Sequence, residues 1–136
     1  MPTLCAYCGC DRALCATLFY GDAPDGASLV SAFVLELSRS LKRRAKHLFG
    51  LDSVADAHTA AVAAIQRTDS ALRLNVHAHV LALDGVYIRE KEDGSLVFLA
   101  LPTPTCDEVA ALLIEAERSP HRKAHRAAMS CKAKSQ

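Results

Sequence analysis

The amino-acid sequence predicts an α+β domain, an antiparallel sheet with flanking helices. Three observations predict it. A stripe of apolar residues at helical spacing runs from Leu29 to Phe49. Segments of period-two character, separated by short polar turns, follow between Thr59 and Leu101. A second helix with a capping signal begins after Thr105. The chain has 136 residues, enough for one hydrophobic core. Trp is absent, so that core has to be built from Leu, Val, Ile and many Ala.

Residues 1–26 are rich in Cys and read as an irregular, poorly ordered leader that ends in the loop Gly21-Asp22-Ala23-Pro24-Asp25-Gly26. Ser28 opens the first helix. Leu29, Phe33, Leu37 and Leu41 recur every fourth residue, Val30 and Val34 lie beside them, and Gly50 supplies a C-terminal stop. From Thr59 the period changes. Val62, Ala64 and Gln66 share one face of a strand, and Ala63, Ile65 and Arg67 share the other. Thr68-Asp69-Ser70 reads as a turn, and Leu74 to Leu83 as the strongest strand. Val86-Tyr87-Ile88 and Leu96 to Leu101 read as a hairpin with a charged tip between them. Thr105 with Glu108 three residues later is a capping box for a helix that buries Val109, Leu112, Leu113 and Ala116.

The expected order is therefore helix, four strands, helix. Short turns between the strands favour antiparallel pairing. The organisation is a leader over 1–26, a core over 27–118 and a basic tail over 119–136, which has little to bury and is expected to be disordered.

Charge alone says little. Sixteen basic residues stand against fifteen acidic ones, so no bulk charge draws the chain to nucleic acid. The distribution is uneven, however. Arg39, Lys42, Arg43, Arg44, Lys46 and His47 form one basic cluster, and the residues from Arg118 to Lys134 form another. Such clusters can follow a phosphate backbone; a solvated helix end that complements the helix dipole explains the first equally well. No secretory signal and no membrane-spanning apolar run are visible. Cysteines in a chain of this kind are expected as thiols or metal ligands rather than disulfides.

Chemistry concentrates in Asn75-Val76-His77-Ala78-His79-Val80. Side chains two apart on a strand point the same way, so His77 and His79 project together and can offer two imidazoles to a divalent metal. A third ligand has to come from elsewhere. Gln66 and Asp69 are the candidates. A second possible metal site is Cys5-x2-Cys8-x-Cys10-x4-Cys15, four thiols that could hold zinc, although free thiols explain them as well.

The string Leu72-Arg73-Leu74-Asn75-Val76-His77-Ala78-His79-Val80-Leu81-Ala82-Leu83-Asp84-Gly85-Val86-Tyr87 resembles the core of the bacterial rolling-circle transposases with two catalytic tyrosines, which belong to the His-hydrophobic-His (HUH) endonucleases. Ala64 to Arg67, Leu101 to Thr105, Asp107 to Val109 and Leu41 to Ala45 match the same family in order, over roughly residues 27 to 117. The resemblance implies a bacterial, cytoplasmic, nucleoid-associated protein that acts in transposition. In the family, magnesium or manganese on the histidine pair polarises a phosphate of single-stranded DNA. A tyrosine then attacks, giving a phosphotyrosine intermediate that is later resolved by joining. Lys42, Arg43, Lys46 and His47 of the first basic cluster, with the tail after Arg118, are the expected contacts to single-stranded DNA, and the family's zinc module offers a precedent for the cysteines.

This sequence departs from the family at Ala78, where a bulkier residue is usual, and in both terminal segments. The family's tyrosines lie further along the chain than this sequence extends, and no Tyr follows Tyr87. The expectation is a transposase fragment that is inactive alone, with Tyr87 an ordinary strand residue rather than the nucleophile. A DNA-binding module without catalysis and a small zinc-binding protein are the alternative functions.

Overall fold

The computed structural model describes residues 13–19, 26–68, 70–90 and 92–119. The described chain is α+β, with two small antiparallel sheets and two helices. In order it contains β1 (Ala13–Phe19), α1 (Gly26–Phe49), β2 (Ala61–Thr68), β3 (Leu74–Leu83), β4 (Gly85–Arg89), β5 (Leu96–Ala100) and α2 (Cys106–Arg118).

Helix α1 forms where the apolar stripe requires it. Leu29, Phe33, Leu37, Leu41 and Ala45 are buried in turn along one face. The helix ends at Gly50, whose positive φ of 63° is open to glycine at little cost. The Leu51 amide then reaches back to the Lys46 carbonyl at 3.1 Å, which closes the last turn. Helix α2 starts with the expected capping box. The Thr105 hydroxyl accepts from the Glu108 amide at 3.2 Å, and the Thr105 amide donates to the Glu108 carboxylate at 2.6 Å. The Thr105 amide is also the main reason that the Glu108 carboxyl titrates below its ordinary range.

A folded-state pKa below the unfolded one gives stability that is present above the unfolded value and lost as pH falls through the folded value. Glu108→Gln, which removes the carboxylate held ionised by the Thr105 amide, should flatten the acid limb of a urea-unfolding series measured against pH. Thr105→Ala removes the hydroxyl that caps the Glu108 amide and is expected to lower stability by about 1 kcal/mol. A Thr105→Ala variant as stable as the parent at neutral pH would show that the cap does not contribute.

Two sequence expectations need correction. Residues 13–19, read as part of an irregular leader, form β1, which pairs antiparallel with β3 along its whole length, from Ala13 opposite Leu83 to Phe19 opposite His77. In Ala-Leu-Cys-Ala-Thr-Leu-Phe apolar residues fall at both strand phases, so no alternation announces the strand. The strands also do not form one sheet. β1-β3-β2 make a three-stranded sheet, and β4 and β5 make a separate pair. A single residue, Asp84, separates β3 from β4. Hairpins need about two loop residues, so the chain bends at Asp84 and passes from the first sheet into the second.

The bend is held from both sides. The Leu101 amide donates to the Asp84 carbonyl at 2.8 Å, the Thr59 hydroxyl to the Gly85 carbonyl at 3.0 Å, and the Leu83 amide to the Ala60 carbonyl at 3.0 Å. The hydrophobic core fills the space between the layers. Ala78, Val80 and Ala82 of β3 and Val86 of β4 join the buried face of α1, with Leu101, Leu112 and Ala116 closing the other end.

Candidate metal centre

Alternation along β3 sets the site. Ala78, Val80 and Ala82 are buried in the core shared with α1. Residues 77 and 79 therefore project from the opposite face of the same strand. β3 is the middle strand, so both histidines have a neighbour on each side. Gln66 of β2 and Phe19 of β1 stand opposite His77, and Ala64 and Thr17 stand opposite His79.

Directly opposed residues on antiparallel strands share a face, which brings Gln66 to the histidines. Its Oε1 lies 3.0 Å from His77 Nε2 and 3.2 Å from His79 Nε2. A carbonyl oxygen only accepts, so both hydrogen bonds require each imidazole to carry its proton on Nε2. The two rings meet edge to face, with centroids 5.0 Å apart and planes at 84°. His77 is buried and His79 half-buried, so the cluster is open to solvent from one side.

The structure thus brings together three of the sequence-derived site residues, Gln66, His77 and His79. Asp69, the other candidate third ligand, lies outside the described residues. Among the described residues no third His, Cys, Asp or Glu joins the pair to make a metal-binding group. The donors available are two imidazole nitrogens and one amide oxygen, which suit a divalent ion that accepts mixed nitrogen and oxygen ligands. Sequence reasoning left Gln66 and Asp69 open because strand register was not legible; the register is the signal that places Gln66.

The other candidates stand apart from this cluster. Lys42, Arg43, Lys46 and His47 occupy the last turns of α1, the helix that covers the opposite side of β3. Of their basic neighbours, Arg39 pairs with Glu36 at 2.7 Å and Arg44 donates to the Pro102 carbonyl at 2.6 Å. Those two are anchored within the fold, whereas Arg43, Lys46 and His47 are exposed and Lys42 is half-buried. Tyr87 belongs to the second sheet. Its backbone bridges to His58, and its ring leans on Phe98 with centroids 4.9 Å apart. Cys5, Cys8, Cys10 and the basic residues of 120–136 lie outside the described residues. Cys15 falls within β1, opposite Leu81.

No helix among the described residues is long and apolar enough to cross a membrane. Compared with protein-family models, with curated proteins and with solved structures, the chain finds no match.

Proposed function

We propose that Gln66, His77 and His79 hold a divalent ion, magnesium or manganese, and that this site engages the phosphodiester backbone of single-stranded DNA as part of the nicking and joining chemistry of rolling-circle transposition. One observation carries the proposal: a single amide oxygen lies within hydrogen-bonding distance of both Nε2 atoms. All three donors are neutral, so a bound divalent ion keeps its full charge for polarising a phosphoryl oxygen. The chain's own part is positioning. β3 fixes the spacing of the imidazoles, and β2 brings the Gln66 amide oxygen beside them as the third donor. Ligation through Nε2 requires the proton on Nδ1 instead, so the Gln66 contacts of the metal-free pair give way as the histidines take up their ligand.

In this reading Lys42, Arg43, Lys46 and His47 supply phosphate contacts that do not depend on the ion. Their attraction is electrostatic, and it weakens as salt displaces the counterion gain. Tyr87 is a packing residue for Phe98 rather than the nucleophile.

The test is retention of an end-labelled single-stranded oligonucleotide by the full chain, with manganese or with EDTA, across a salt series. Binding is expected to be strongest with manganese and to fall steeply with salt. Reversing the charges of Lys42 and Arg43 should reduce binding under both metal conditions. Retention that is indifferent to both EDTA and salt would sink the proposal. Denaturing gels of the same mixtures check Tyr87: Tyr87→Phe is expected to leave every band unchanged, and a covalent protein–DNA band lost in that variant would make Tyr87 the nucleophile.

A further inference from the structure

The outer edge of β2, which no described strand covers, supports an inference about assembly. β2 closes one end of the order β1-β3-β2. One side of it pairs with β3, and no described strand pairs with the other. Every residue from Val62 to Thr68 is exposed. Such an edge presents a row of unpaired backbone donors and acceptors, and proteins usually blunt it with lysine, proline, a bulge or inward charge. From Ala61 to Gln66 the strand has no charge, no proline and no glycine. Its ladder with β3 stays regular until the shift between Gln66 and Thr68.

Apolar surface collects at the same place. Ten large apolar side chains stand exposed among the described residues, and five of them (Val62, Ile65, Leu72, Leu74 and Leu81) belong to β2, β3 or the turn between them. Val62 is 70% exposed and Ile65 49% exposed, one on each face of β2. On the helix side, a groove of about 370 Å³ opens where β2 begins, lined by Val34, Leu35, Ser38 and Leu41 of α1 and by Ala61 and Ala82.

We propose that the outer edge of β2 pairs with β2 of a second copy of this chain, antiparallel about a twofold axis, so that two three-stranded sheets become one of six strands. The occupant follows from the chemistry of the edge. An antiparallel edge is its own complement, because the same segment read in reverse presents acceptors where the first presents donors. The uncharged stretch attracts no oppositely charged partner. Arg67 is the one charge in β2, and pairing centred on the middle of the strand sets the two Arg67 side chains at opposite ends, where they do not repel. The incoming strand covers Val62 and Ile65 and extends along the groove under α1. Because the interface is isologous, it closes at two copies.

Sedimentation equilibrium of the full chain tests this, with Val62→Lys/Ile65→Lys as the variant and Ile114→Lys, on the exposed surface of α2, as the control. Both altered β2 side chains face solvent in the single chain, so circular dichroism should show the parent's fold. The parent and Ile114→Lys are expected to sediment as dimers and the β2 variant as a monomer. Amide exchange supplies a measurement that needs no variant: β2 amides of the parent should be protected at high concentration and exchange faster on dilution. A monomeric parent, a dimer that survives both lysines, open-ended assembly, or β2 exchange indifferent to dilution would each overturn the proposal.

Discussion

His77→Ala and His79→Ala are each expected to abolish saturable manganese binding by the folded chain. With one imidazole removed, a single nitrogen and an amide oxygen remain, and that pair is a poor match for the ion against water. Gln66→Ala should weaken binding by roughly 10–100-fold, the scale of losing a supporting group of a metal site, because it removes the third donor. Gln66→Glu should strengthen it, because a carboxylate adds charge attraction at the position where Oε1 already meets both rings. Isothermal titration with manganese checks all four variants, with circular dichroism to confirm the fold. The graded order is the informative part. Equal binding by the parent and both histidine variants would end the metal reading. Normal binding by Gln66→Ala would leave the histidine pair standing but remove Gln66 from it.

Gly85→Ala is expected to cost about 3 kcal/mol, an effect on the scale of severe overpacking. A β-carbon at Gly85 would overlap the Leu99 carbonyl oxygen and sit 2.7 Å from the Phe98 ring. The first of these is backbone of the paired strand, which cannot move aside without opening the β4–β5 ladder, where Gly85 stands opposite Ala100. The ring can tilt, but it also carries the Tyr87 contact. Thermal unfolding should therefore fall by roughly 10 °C or more. An alanine variant with the parent's midpoint would show that β4 and β5 separate at this point without penalty.

Much of the fold was legible in the sequence. The limits of β3, the apolar face of α1, the glycine stop at Gly50 and the capping box at Thr105 and Glu108 all follow from local patterns that tertiary contacts reinforce. β1 was hidden because both faces of its sequence are apolar or small, and period two shows only when the faces differ. The division into two sheets was hidden in a one-residue interval, since Asp84-Gly85 looks like an ordinary turn until the spacing from Leu83 to Val86 is set against the length a hairpin needs. For the site, the common direction of His77 and His79 was readable from the strand alone. Their partner was not. The turn between β2 and β3 contains Leu72 at a positive φ of 58°, and a register shift falls between Gln66 and Thr68, so counting back from the turn does not predict which residue meets His77.

The Asp84 corner decides which way the histidines face. Sliding β3 by one residue would exchange its two surfaces, sending the imidazoles into the core and the alanines out to solvent. Within the sheet only the ladders with β1 and β2 oppose such a slip, and one of them already tolerates a shift. The corner adds fixed points beyond the strand: Asp84 tied to Leu101 and Gly85 to Thr59. Since β4 follows after a single residue, β3 has no slack with which to advance. The second sheet thus acts as an end-stop on the strand that carries the histidines, and it sets their phase from the end of that strand.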